Sequence, residues 1–85
     1  MRADKEKVMP LLKTARGQLD AVIRMAEEDR YCVDISNQLL AIRALVNKAN
    51  KLVLEAHLKG CVADGIQQGS GEKIEEILVL LDKML

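Results

Sequence analysis

The amino-acid sequence predicts an all-α fold of three helices, and three observations support this prediction. Apolar residues recur at intervals of three and four along most of the chain, which is the spacing of one face of an α-helix. No segment alternates apolar and polar residues as a half-buried strand would. The chain has 85 residues, 49% apolar and 31% charged, which indicates a single small globular domain over residues 1–85.

The first helix is predicted from an apolar series with charged residues between its members. Pro10 lies early in this segment and lacks a backbone donor, so the helix either starts near Pro10 or is kinked in its first turns. The series consists of Val8, Leu12, Ala15, Leu19, Val22 and Ala26.

The second helix has the more regular pattern and is predicted from about residue 31 to about residue 60 or a few residues beyond. Asp29 or Asp34 is the predicted N-cap. A loop is predicted at residues 67–71 from their Gly, Ser and Gln content, and a short third helix at 74–85. The apolar series of the second helix is Ile35, Leu39, Ile42, Val46, Ala49, Val53 and Ala56.

The first two helices are joined by the polar segment 27–30 and should form an antiparallel hairpin. Phe and Trp are absent and Tyr31 is the one aromatic residue, so the core of a single chain is small. Because so short a chain buries a limited share of its surface, we expect two hairpins to pack as a four-helix bundle.

Composition also limits where the protein works and what it binds. No apolar run approaches the roughly 20 residues needed to span a bilayer, and the amino terminus lacks the apolar stretch of a signal peptide. We therefore expect a cytoplasmic protein with no membrane partner. The formal net charge is zero, but residues 1–62 carry a net charge of +3 and residues 63–85 a net charge of −3, which gives weak support for DNA binding.

Three residues carry the chemistry of the chain: its only two cysteines, Cys32 and Cys61, and its only histidine, His57. His57 and Cys61 are four residues apart, so they share a helix face if the second helix continues through Gly60. At about 100° per residue, Cys32 points in the same direction as both. Alone, a His and a Cys at this spacing are more often structural than metal-binding.

Cys32 lies about 37 Å from His57 along a straight helix, since each residue rises 1.5 Å. Two second helices packed antiparallel would bring Cys32 of one chain beside His57 and Cys61 of the other, at two equivalent sites. An interchain disulfide between the cysteines is the competing interpretation, and a cytosolic setting disfavours it. Two thiolates and one imidazole favour Cu(I), with Zn(II) as a surrogate.

No catalytic pattern accompanies these residues. No base or carboxylate is paired with either cysteine by spacing, and no nucleotide-binding or metalloprotease motif is present in the sequence. An enzyme is therefore not expected.

The chain resembles a known family, the copper-sensing repressors of the CsoR/RcnR type. The resemblance covers nearly the whole sequence and is carried by residues 16–19, 24–34, 38–44 and 55–62, with Arg30-Tyr31-Cys32 followed later by His57 and Cys61 as its most specific part. It implies an all-helical dimer that pairs into a homotetramer and represses transcription of metal-efflux operons. It also implies a copper site formed by Cys32, His57 and Cys61.

Further residues are implied by the same resemblance. Tyr31 matches a tyrosine close to the metal site, and a glutamate of the third helix falls at Glu75 or Glu76, of which we favour Glu76. The nickel, sulfur and formaldehyde branches of the family lack this Cys-His-Cys pattern, so the copper branch fits.

The contacts to DNA are less clearly matched. Lys13 and Lys48 match basic positions on the DNA-binding surface, and Arg16 and Arg43 are further candidates that would also suit ordinary surface ion pairs. The family typically has a basic residue where Leu11 stands, which puts operator affinity in question.

Together these residues predict a repressor that binds double-stranded operator DNA without metal and is released by Cu(I). Two alternatives stay open: a repressor that senses thiol modification at Cys32, and a helical metal-buffering protein that does not bind DNA.

Overall fold

The computed structural model describes the backbone of residues 1–62 and 72–84 and the side chains of residues 1–60 and 74–84. Helix α1 spans Lys5–Glu27, α2 spans Cys32–His57, and α3 spans Glu72–Met84. A π-helical segment, Leu58–Val62, continues directly from α2. The described residues contain no strand, so the prediction of an all-α, three-helix chain is confirmed. The loop predicted at residues 67–71 lies outside the described residues.

Helix α1 begins before Pro10 and is capped by Asp4. A side-chain oxygen of Asp4 accepts a hydrogen bond from the backbone N–H of Glu6 at 2.9 Å, which satisfies one of the free donors of the first turn. Pro10 is the sixth residue of the helix, and helical structure continues through it to Glu27. The helix therefore starts about a turn and a half before Pro10, at 3.6 residues per turn.

A tight turn ends α1 and leads into α2. The N–H of Arg30 donates to the carbonyl of Met25 at 3.0 Å, and the N–H of Asp29 donates to the carbonyl of Ala26 at 3.1 Å. These two hydrogen bonds together form a Schellman motif, which requires a residue in the left-handed backbone conformation just after the helix. Asp29 supplies it with a φ of 53°, a conformation that Asp tolerates better than most residues other than glycine.

The structure corrects the predicted N-cap of α2. Asp29 belongs to the turn after α1, and Asp34 lies inside the first turn of α2. Tyr31 occupies the capping position instead, since its carbonyl accepts from the N–H groups of Asp34 and Ile35 at 3.0 and 3.2 Å. An acidic side chain at Asp34 still has a role there, because negative charge in the first turn interacts favourably with the helix dipole.

The chain divides into two compact units, of which the first is Asp4–Lys51. It contains α1, the turn, and α2 as far as Lys51. Val8, Ala15 and Val22 are buried on one face of α1, and Ala49 is buried on α2. The spacing of seven between the buried residues of α1 is that of a helix packed along its length.

The second unit comprises Met1–Ala3 and Leu52–Leu85. Here α3 packs against the π-helical segment, with Ile77 and Ala3 buried. Gly60 allows a close approach, because a Cβ at this position would lie 2.9 Å from Cδ of Arg2. Among the helices that the structure describes, none is both long and apolar enough to cross a membrane.

Candidate metal centre

Cys32 is the first residue of α2, and its thiol is free and exposed. A cysteine at the N-terminus of a helix lies near the positive end of the helix dipole. Tyr31 precedes it and is 69% exposed. Cys32 is therefore presented at the start of a long helix, where a second molecule can reach it.

His57 is the last residue of α2, at the junction with the π-helical segment. Its side chain is partly shielded, with 27% of its surface exposed. The imidazole lines a cleft of about 510 Å³ together with Val53, Leu54 and Leu80, and with Met1 and Arg2 from the start of the chain. Apolar side chains thus restrict the water around this ring, which strengthens its polar interactions.

Glu76 of α3 faces His57. The distance from Nε2 of His57 to Oε2 of Glu76 is 3.7 Å, and the Glu76 side chain is 54% exposed. This separation is too long for a direct hydrogen bond, but it places a carboxylate on the Nε2 side of the ring. The other ring nitrogen, Nδ1, is left for a different partner. Of Glu75 and Glu76, the structure places Glu76 beside the imidazole.

The α-helical conformation ends at His57, earlier than the predicted end near residue 60. The chain remains helical through Gly60 and Cys61, but with the wider hydrogen-bonding pattern of a π-helix. A π-helix has more residues per turn than an α-helix, so a count of 100° per residue does not apply between His57 and Cys61. The angular alignment of Cys61 with Cys32 therefore stays a prediction, because the 100° step on which it was counted does not hold over residues 58–62. Short π-helical turns are frequent at functional sites.

The structure does not gather the three candidate ligands into one site within the part of the chain that it describes. No three side chains of the types His, Cys, Asp and Glu come together among these residues. Cys32 and His57 occupy the two ends of the same helix. The side chain of Cys61 lies outside the described residues.

The candidate DNA-binding residues lie on the two helices of the first unit. Lys13 and Arg16 on α1, and Arg43 and Lys48 on α2, are all exposed. In the part of the chain that the structure describes, no ion pair joins any of these four basic groups to another residue. Leu11, which stands where the family has a basic residue, is half-buried.

Two features of the site escaped the sequence analysis. One is the apolar cleft around His57, whose residues are spread over three segments of the chain. The other is the π-helical turn that carries Cys61. Gly60 leaves room for the side chain of Arg2, but glycine also occurs in many turns. Its presence in the sequence therefore does not predict a π-helix.

Comparison with protein families assigns the chain to a class. Residues 4–83 match the family model described as "Metal-sensitive transcriptional repressor", and the chain belongs to this family. The family consists of repressors rather than enzymes, in agreement with the sequence analysis.

Individual relatives are more specific. The copper-sensing transcriptional repressor CsoR of Mycobacterium tuberculosis strain H37Rv is 38% identical over 79 residues, which is 92% of this chain and 66% of that protein. The chain thus spans slightly less than two thirds of the length of this relative. CsoR of Bacillus subtilis strain 168 is 40% identical over 81 residues, 94% of this chain and 80% of the relative.

Solved structures agree with the fold. A copper-sensing repressor CsoR with Cu(I), from Geobacillus thermodenitrificans NG80-2, superimposes with a TM-score of 0.83 at 37% identity, covering 94% of this chain and 84% of that one. The nickel-responsive regulator InrS has a TM-score of 0.77 at 23% identity, covering 100% and 97%, and supports the fold alone.

Proposed function

We propose that this chain is a cytoplasmic, Cu(I)-responsive transcriptional repressor. It binds double-stranded operator DNA in the metal-free form and leaves the DNA when Cu(I) binds. The observation that carries this proposal is the position of His57, which lines a partly shielded cleft and faces Glu76 of α3, in a chain whose soft donors are Cys32 and Cys61. The relatives named as copper-sensing repressors support the same function.

Cys32, His57 and Cys61 would hold the metal through two thiolate sulfurs and one imidazole nitrogen. Soft thiolates select Cu(I), and three protein ligands suit its low coordination number. Zn(II) would need a fourth ligand from water or another side chain to complete its tetrahedral shell, so it is a surrogate at most.

The ligands would come from two chains. Cys32 is the first and His57 the last residue of α2, and a straight α-helix keeps residues at its two ends apart. A second copy with its α2 antiparallel would bring Cys32 beside the partner's His57 and Cys61. Large apolar side chains exposed on the first unit offer a surface for that copy: Leu12, Leu19, Ile23, Leu39, Leu40 and Val46.

His57 would connect the metal site to α3. With Nε2 facing Glu76, the ring would present Nδ1 to the metal, and Glu76 would fix the ring orientation and tautomer by closing from 3.7 Å to hydrogen-bond distance. Because α3 packs against the π-helical segment, a change in the position of His57 or Cys61 acts on α3. Metal can release the protein from DNA only if it binds the free conformation more tightly than the DNA-bound one.

Lys13, Arg16, Arg43 and Lys48 would contact DNA phosphates. Each is exposed on the first unit and has no ion-pair partner among the described residues, so it is available to an external one. Phosphate contacts of this kind account for most non-specific affinity and for its dependence on salt. Replacing Lys48 with alanine should therefore weaken DNA binding and leave copper affinity nearly unchanged.

The exposed thiol of Cys32 favours a second candidate, a repressor that senses thiol modification. The two functions differ in their effector. A copper sensor responds to Cu(I) under anaerobic conditions, whereas a thiol sensor responds to an oxidant or a persulfide donor without metal. A metal-buffering protein would bind copper and show no affinity for DNA.

One experiment separates all three. The protein is bound to a duplex from immediately upstream of its own gene, and Cu(I) is added anaerobically while DNA binding is followed by fluorescence anisotropy. Release at one Cu(I) per site supports the proposal. A persulfide donor, added without metal, serves as the control effector. Retention of DNA at saturating copper, or failure to bind the duplex at all, would overturn it.

A further inference from the structure

The first three residues of the chain, Met1–Ala3, pack with the segment that follows α2. They belong to the same compact unit as Leu52–Leu85, and Ala3 is buried, with 8% of its surface exposed. The first two of them line the cleft around His57. We call Met1–Ala3 the N-terminal arm. The arm therefore lies beside the candidate metal centre, although it is remote from His57 in sequence.

The side chain of Arg2 lies against the π-helical segment. A Cβ atom added at Gly60 would be 2.9 Å from Cδ, 3.1 Å from Nη1 and 3.3 Å from Cζ of Arg2. These separations are shorter than the roughly 3.5–4.0 Å at which carbon atoms pack favourably. The Arg2 side chain thus occupies space that a residue other than glycine at position 60 would need for its own side chain.

Gly60 is placed where the arm can act on the candidate ligands. It is the third residue of the π-helical segment Leu58–Val62 and lies between His57 and Cys61 in the sequence. A π-helical turn is rare and glycine has the greatest backbone freedom of any residue, so local preference does not fix this conformation. Contacts from outside the turn must hold it. In the described part of the chain, α3 and Arg2 both supply such contacts.

We propose that Arg2 is a positioning residue of the metal centre, because its side chain, held in the space left by Gly60, fixes the π-helical turn that connects His57 to Cys61. This inference rests on the proposed Cu(I)-binding function and adds the N-terminal arm to it. Residues that orient metal ligands without binding the metal typically contribute about 10-fold to 100-fold to metal affinity. Displacing Arg2 should therefore weaken Cu(I) binding although every ligand is still present.

The guanidinium group has an alternative role, which is to act on the metal complex by charge alone. Cu(I) bound to two thiolates carries a net negative charge, and a nearby cation would stabilise it wherever the arm lay. The two roles predict different results at Gly60. Gly60→Ala keeps the charge of Arg2 but moves its side chain aside, because the new methyl group meets the far end of a flexible side chain.

The test is a double-mutant cycle on the whole chain, with Gly60→Ala, Arg2→Asn and the two combined. Cu(I) affinity is measured anaerobically by competition with a chelator, and stability by urea unfolding of the metal-free protein at one fixed concentration. Each single variant should lower Cu(I) affinity by about tenfold. Arg2→Asn removes the atoms that conflict with the new methyl group, so Gly60→Ala should cause no further loss in that background.

Gly17→Ala is the matched control. A Cβ atom added at Gly17 would meet no atom within 4 Å, apart from its chain neighbours and the nearby backbone of its own helix. Gly17→Ala should raise the urea midpoint, since alanine favours a helix, and leave Cu(I) affinity unchanged. Arg2→Lys retains the positive charge and the side chain as far as Cδ, so it should keep most of the Cu(I) affinity.

The outcomes separate this inference from the function on which it rests. A parent protein that does not bind Cu(I) overturns the proposed function and the inference with it. If the parent binds Cu(I) and Gly60→Ala binds it equally well, the position of Arg2 is unimportant and the inference alone is wrong. Additive losses in the double variant also overturn it, because the two residues then act separately. Non-additive losses, with Gly17→Ala normal and Arg2→Lys close to the parent, support it.

Discussion

The environment of one imidazole ring determines how the metal site would act on the rest of the chain. Nε2 of His57 faces Oε2 of Glu76 at 3.7 Å, and apolar side chains line the cleft around the ring. The carboxylate is more exposed than the imidazole, so solvent screens their attraction and the pair contributes little to stability. We propose that its role is to orient the ring, so that Nδ1 is directed to the other side.

Replacing Glu76 with glutamine should therefore affect the response to copper more than copper binding or folding. We expect Glu76→Gln to retain Cu(I) through the cysteines and His57, while the change in DNA affinity caused by copper falls about tenfold, within the range for residues that orient metal ligands. Competition with a Cu(I) chelator and anisotropy on promoter DNA measure the two effects. Glu75→Gln is the control one residue away, and an equal loss in both variants would argue against a specific role for Glu76.

Removing the ring itself tests the same link. His57→Ala should keep copper through the two thiolates, yet lose most of the copper-driven release from DNA. The comparison is made at copper concentrations that saturate the variant, as judged by chelator competition. A His57→Ala protein that leaves the duplex as readily as the parent would show that the thiolates carry the signal alone.

Particular residues determine where the helices of this chain begin and end. Asp4 caps α1 with its side chain, and Asp29 ends it in a left-handed conformation. Between these ends, helical structure passes through Pro10, because a proline near the start of a helix removes few intrahelical hydrogen bonds. At its C-terminal end, α2 passes into a π-helical turn just after His57.

The cap at Asp4 should have a measurable effect on stability. Asp4→Ala leaves the N–H of Glu6 without its side-chain acceptor, and we expect a loss of about 1 kcal/mol in the free energy of unfolding per chain. Asp4→Asn keeps the acceptor, so its free energy of unfolding should fall by only a few tenths of that amount. Urea unfolding at one fixed protein concentration measures both, since the stability of an oligomer depends on concentration. Equal losses in the two variants would mean that charge, not capping, is the contribution of Asp4.

Across the molecule, the described residues expose many large apolar side chains while few are buried. Leu19, Ile23, Leu39 and Leu40 are 46%, 50%, 46% and 56% exposed. Exposed apolar surface of this extent on a small chain indicates an interaction site, and a second copy is the partner that would also complete the ligand set. Symmetry then requires two equivalent sites in each dimer.

Shared ligands predict complementation between chains. Cys32→Ala homodimers and His57→Ala/Cys61→Ala homodimers should each lack high-affinity copper, because neither has a complete site. Heterodimers made by mixing the two should regain one site per dimer, which copper titration of purified, differently tagged heterodimers would detect. Heterodimers that form but bind no copper tightly would contradict the sharing of ligands between subunits.

The sequence alone was sufficient for the helices and for the choice of candidate ligands. The spacing of apolar residues is local information, and it places three helices correctly because a period of 3.6 leaves no competing strand pattern. Cys32, His57 and Cys61 could be singled out because no other cysteine or histidine is present. The resemblance to metal-sensing repressors followed from the same residues.

Tertiary structure decided what local patterns leave undetermined. Glu75 and Glu76 are adjacent residues of the same type, so the sequence does not distinguish them. The packing of α3 against the segment after α2 places Glu76 beside His57. The π-helical turn and the cap at Tyr31 likewise depend on backbone hydrogen bonds that are not tied to a particular side chain. Periodicity identifies which residues share a face, whereas contacts between distant segments determine which of them meet, and those contacts form only when the chain folds.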